Sequence, residues 1–210
     1  IVAIISNAVT IADAGAFSAS LGSLVHIKTI TSNGSQTTMD LVHGSGGIVF
    51  DGTYSVYRFD WVDCHPSATD PSFEFQVGPA SNTSYNQAIV STFFQTQKME
   101  DGTGAQDGLG YIGGYDQVGT GYQKLNGNIK NDNDGATTGS LFIFNPNSTT
   151  YVKHFMAQAI SMENANPRVL TNPWIGGYVN VTAALRTISF RFSSGELDAA
   201  TIKMYGIKSS

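Results

Sequence analysis

The sequence predicts an all-β fold, an antiparallel two-sheet β-sandwich of jelly-roll type with an extended N-terminal arm, and three observations carry that expectation. Apolar residues recur at every second position, as in Ile188, Phe190 and Phe192 against Thr187, Ser189 and Arg191, which puts them on one face of a strand. No stretch holds a 3.6-residue apolar period. Strand-like runs follow one another with turns between them and no helical segments, the pattern of stacked antiparallel sheets.

Residues 1–22, IVAIISNAVTIADAGAFSASLG, are apolar but small, with Ala and Gly where a free-standing strand needs bulk. Two readings stay open for them. One is an arm lying on a neighbouring subunit, with Ile1, Val2, Ile4, Ile5, Val9, Ile11 and Phe17 as assembly contacts. The other is an edge strand of the same sandwich. The chain starts at Ile1 rather than Met, which reads as a processed or missing start.

The sandwich domain is expected over residues 23–210. Leu24–Ile30 and Thr37–Val42 read as a hairpin joined through Ser32, Asn33 and Gly34. Further strands are expected at Tyr54–Val62, Phe73–Val77, Ala88–Gln95, Leu141–Phe144, Val152–Ile160 and Tyr178–Thr182. A terminal pair follows at Leu185–Phe192 and Thr201–Ile207, separated by a polar turn. Two stretches read as loops. The first, 100–139, carries eleven glycines with aromatics between them; the second, 163–174, holds Pro167 and Pro173.

Composition narrows the partners. Charged residues are only 13% of the chain, against roughly 25% in an ordinary soluble domain, so hydroxyls and amides must wet the surface. Eleven Lys and Arg against sixteen Asp and Glu, the basic ones scattered singly, draw no stripe that could follow a phosphate backbone. Nucleic acid is therefore not an expected partner. Neither is an anionic membrane surface, and no apolar run approaches the roughly 20 residues of a membrane span. The single Cys64 excludes an internal disulfide.

Residues that could carry chemistry are present without the spacing chemistry needs. Aligning the stretch 126–135 as a calcium loop puts Lys130 at the first ligand position and Leu141 at the bidentate one, so turn chemistry is the better reading. Cys64 and His65 are adjacent, and on a strand they face opposite ways. The four histidines, His26, His43, His65 and His154, show no metal-ligand spacing, and no Gly-x-Ser-x-Gly elbow is present. Asp101, Asp107, Asp116, Asp132 and Asp134 could supply a carboxylate pair for glycan cleavage, as any Asp-rich loop could. The expectation is a protein that is not an enzyme, with no cofactor and no metal. Tyr111, Tyr115, Tyr122, Trp174 and Tyr178 could stack on sugar rings, or fold inward to hold their loops to the core or to a sister subunit.

Seven stretches together resemble a family of small virion structural proteins encoded by marine and other aquatic tailed bacteriophages, of tail-fibre-like or capsid-decoration type. They are FDGTYSVYRFDWVDCHPSATD at 50–70, FEFQV at 73–77, STFFQ at 91–95, NDNDG at 131–135, GSLFIFNPNSTTYVKHFMA at 139–157, GGYVNVTAAL at 176–185 and ISFRFSSGELDAATIKMYGI at 188–207. The resemblance implies a subunit on the outside of the particle, assembled in the host cytoplasm, with itself (as a homotrimer) and other virion proteins as partners. A fibre subunit would also meet a host surface glycan or protein. A capsid decoration subunit is the alternative, and a glycan-binding module or glycan-degrading enzyme the second alternative. The motifs carry over no catalytic residue.

Overall fold

The structure is a computed structural model that describes residues 4–6, 9–13, 16–17, 24–79, 84–163 and 168–208, with the backbone alone described before residue 24. The period-two pattern becomes two principal antiparallel sheets, and no helix occurs among the described residues. The larger sheet has nine strands. Its spatial order is β10 (Val118–Gly119), β8 (Ile89–Met99), β14 (Val169–Val179), β13 (Lys153–Glu163), β12 (Thr137–Phe144), β6 (Val56–Pro66), β16 (Leu197–Ile207) and β4 (Leu24–Thr31), with β9 (Gly108–Tyr111) also paired to β8. The smaller sheet runs β11 (Gln123–Lys124), β7 (Phe73–Gly78), β15 (Thr187–Phe192) and β5 (Met39–Val42).

The inner faces of the two sheets share one core. Phe59 and Trp61 of β6 meet Phe190 and Phe73 of the small sheet at ring separations of 5.9 and 5.8 Å, and Phe155 of β13 meets Phe75 edge-on at 5.2 Å. Edge and tilted aromatic pairs of this kind add to the energy of simple burial. Gly139 lets Trp61 lie flat under β12: a Cβ there would sit 2.3 Å from the indole and 2.3 Å from the Gln158 carbonyl.

Several expectations are corrected. Leu24–Thr31 and Met39–Val42 form no hairpin, because β4 pairs with β16 in one sheet and β5 with β15 in the other. The polar connection between them is a crossover, pinned by Ser32 N donating to Ala200 O at 2.9 Å and by the Gln36–Leu197 bridge. The terminal strands likewise part into different sheets, and β16 begins at Leu197 inside the expected turn. The expected loop 163–174 is strand from Val169 onward, with Pro173 inside it. Pro173 pairs with Gln95 of β8, while the ladder to β13 lapses beside it at Ala159 and Ile160, where Pro has no N–H to give. The glycine-rich stretch is not wholly irregular either, since it contributes β9, β10 and β11.

Most of the small sheet's outer face is covered as well as its inner one. Opposite the core, Gln76 is buried and its amide donates to Gln87 O at 2.9 Å, Thr120 O at 3.2 Å and Gly121 O at 2.9 Å. Connecting segments therefore roof this sheet, and the alternation in β7 separates aromatic burial from polar burial.

In the N-terminal segment, β1 (Ile4–Ser6), β2 (Val9–Asp13) and β3 (Ala16–Phe17) pair among themselves as a third antiparallel sheet. Ile4 and Ile5 fall in β1, Val9 and Ile11 in β2 and Phe17 in β3, whereas Ile1 and Val2 lie outside the described residues.

Candidate functional site

The exposed feature that ordinary folding leaves unexplained is the outer face of the large sheet. On β14 and β13 the alternation sends Val169, Thr171, Ile175, Phe155, Ala157 and Ala159 inward, and sends a second apolar set outward. A strand apolar in both phases belongs where both faces are covered. Here the outer set meets water: Trp174 is 40% exposed, Met156 48% and Ile160 53%.

Strand register lines these residues up. Tyr111, Phe94, Trp174, Gln158, Ser140 and Asp60 form one row across β9, β8, β14, β13, β12 and β6. The adjoining row runs Gly176, Met156, Phe142 and Arg58. Across these rows lies a depression of about 390 Å³, lined by Arg58, Ser140, Phe142, Met156, Ile160 and Trp174.

The polar groups on this face bond sideways to one another. Arg58 Nε donates to Asp60 at 2.7 Å, and Ser140 Oγ donates to the same carboxylate at 2.7 Å. The Arg58 guanidinium also stands 5.5 Å from the Phe142 ring. Gln158 Nε2 donates to Asn172 Oδ1 at 3.2 Å, and the Tyr111 hydroxyl donates to Asp116.

The five aromatics expected at a contact site are divided. Tyr111, Trp174 and Tyr178 share the outer face, Tyr178 beside His154 with ring centres 6.3 Å apart. Tyr115 turns inward against Phe93 at 5.2 Å, with Lys124 Nζ 4.6 Å from its ring, and burial pushes its hydroxyl up to about 12. Tyr122 lies on the roof of the small sheet, 3.7 Å beneath the Arg191 guanidinium. Sequence reading missed Phe94, Phe142, Met156, Ile160 and Leu170, although FMAQAI at 155–160 carries the signal: a strand with no polar phase.

The reactive side chains are occupied elsewhere. Asp132 accepts from Arg168 and pairs with Lys130 at 3.3 Å, which holds its carboxyl down at about 2. Asp107 accepts from Lys98 and from Met99 N, and Asp101 from Thr103 N at 2.9 Å. Cys64 is buried, its thiol pushed up to about 12, while His65 faces away toward Asp132 O at 2.9 Å and the Asp198 carboxylate at 3.4 Å. Among the described residues no three His, Cys, Asp or Glu side chains converge as a metal site, and no helix is long and apolar enough to cross a membrane.

Two ionisable side chains are drawn in at the ends of β13. Lys153 gives its ammonium to three carbonyls, Tyr151 O, Val181 O and Thr182 O, at 2.9–3.1 Å. Glu163 sits beside Gln95 with one carboxylate oxygen unpartnered, and burial raises its carboxyl to about 7.

The chain matches no protein-family model, no curated protein and no solved structure.

Proposed function

We propose that this protein is a structural subunit on the outside of a bacteriophage particle, of fibre type, that works by assembly and attachment and performs no catalysis. The observation that carries the reading is the aromatic and aliphatic half of the large sheet's outer face, nearly free of charge and held on the adjacent strands β12, β13, β14 and β8. Such a face is suited to covering by another surface. Resemblance over most of residues 50–207 supplies the particle. In this reading the two facing sheets form a jelly-roll-type sandwich, and the N-terminal segment docks the subunit to other virion proteins.

A second reading, contact with a host surface glycan, is favoured by the gathering of Tyr111, Trp174 and Tyr178 on one face. Capsid decoration differs from the fibre reading in copy number. An electron cryo-microscopy map of the intact particle, with quantitative mass spectrometry of its proteins, tests the proposal. A fibre subunit appears in small multiples of three per fibre; hundreds of copies on the shell would instead indicate decoration, and absence from the particle would overturn both. Particles carrying a chain without residues 1–22 are expected to lack the protein.

A further inference from the structure

We infer that the half of the outer face built by β12, β13, β14 and β8 is the surface on which a second copy of this chain docks. The inference goes beyond the virion reading, because it holds whatever particle the chain serves.

Charge is segregated across one continuous sheet. Among the described residues, the outward positions of β12, β13, β14 and β8 include a single formal charge, Lys98, which sits near the end of β8 and pairs with Asp107. The outward positions of β6 and β16 carry Arg58, Asp60 and Lys203. Depletion of charge together with Trp, Tyr, Phe and Met is the composition of an interface centre. Charged rows bordering it supply a rim.

The size fits as well. Four strands of up to eleven residues present roughly 36 Å by 19 Å, about 700 Å², from ordinary strand rise and spacing. A standard stable interface takes about 800 Å² from each partner.

The chemistry favours protein over carbohydrate as the occupant. Met156, Ile160, Leu170 and Phe94 offer no hydrogen bonds, and the polar groups among them are already joined laterally, Ser140 with Arg58 through Asp60 and Gln158 with Asn172. A sugar would find few free donors or acceptors. An apolar surface covering Met156, Ile160, Leu170 and Phe94 strands no polar group of theirs, while the Trp174 indole N–H and the Tyr178 hydroxyl on the same face require acceptors from the covering chain. At this end of the sheet β9 and β10 cover β8, so this half presents its face to a partner and not the bare edge of β8.

The test is the molar mass of the full chain by light scattering across a dilution series. The wild type is expected at two or more times 22.3 kDa and to dissociate on dilution. Ile160→Asp and Trp174→Arg are each expected to raise the dissociation constant by about thirtyfold or more, the loss of one central anchor. Thr29→Asp, on the charged half of the same face, is expected to leave it unchanged, and near-ultraviolet circular dichroism reports that each variant is folded. Should Trp174→Arg fail to fold, Ile160→Asp alone decides. A wild type of one chain mass up to its solubility limit overturns the inference. So do face variants that keep the wild-type mass, or a monomer whose Trp174 fluorescence responds to host surface polysaccharide. The particle map could fail to contain the protein without altering any of these results.

Discussion

Replacing Glu163 by Gln should flatten the response of stability to pH between pH 4.5 and 7. Glu163 lies at the end of β13, removed from water, with Gln95 drawing its carboxyl only partly back toward the ordinary value. Burial raises that carboxyl from 4.5 to about 7. An acid whose folded value is raised keeps its proton in the native state while the unfolded chain has lost it. Native stability is therefore complete below pH 4.5, falls as pH rises toward 7, and is level above. The gap corresponds to up to about 3 kcal/mol, at ~1.4 kcal/mol for each pH unit. The facing titratable group, Tyr115, stays neutral throughout this range. Gln keeps the shape and removes the ionisation. Urea unfolding of both proteins at intervals from pH 4.5 to about 8 should show the variant gaining up to about 3 kcal/mol on the wild type as pH rises. A difference that stays constant to within about 1 kcal/mol would refute the reasoning that this carboxyl is held neutral by burial.

Lys153→Met removes an ammonium that serves three carbonyls and should cost about 2–4 kcal/mol in urea unfolding; a loss below about 1 kcal/mol would mean those carbonyls are rehydrated freely. Gly139→Ala pushes a methyl into Trp61 and the Gln158 carbonyl and should destabilise by about 1–3 kcal/mol, a cost that an unchanged melting curve would contradict. Cys64, buried with its thiol near 12, should resist an aromatic disulfide reagent in the native state and react fully in urea. Reaction at the rate of a free thiol in the folded protein would show that the strand opens readily.

How far the fold can be read from the sequence depends on whether the deciding contacts are local. Alternation in residues 56–66, 73–78 and 187–192 is local, and those strands lie where alternation puts them. Pairing is not local: the polar link after Thr31 suits a tight turn and a crossover equally, and the choice is made by β16, which lies over 160 residues further along the chain. Pro173 suggested a loop because proline breaks a ladder, yet only its side toward β13 goes unpaired, and β8 secures the other. Of the contact aromatics, Trp174 and Tyr178 share a face because they lie four residues apart on one strand. Tyr115 departs because Phe93 and Lys124, distant or across a turn, offer it a buried seat. The outer apolar face escaped notice because residues 155–160 satisfy the inward phase first, and the outward phase looks like surplus until the sheet is assembled.

The chain holds two tryptophans, and they report on opposite sides of one sheet: Trp61 is fully buried and Trp174 is 40% exposed. Acrylamide quenching of the unmodified protein across a dilution series thus reads the accessibility of Trp174 against a silent neighbour. If the outer face is covered by another copy, quenching should be weak in concentrated solution and rise on dilution in step with the fall in molar mass. Strong quenching that is the same at every concentration would contradict it.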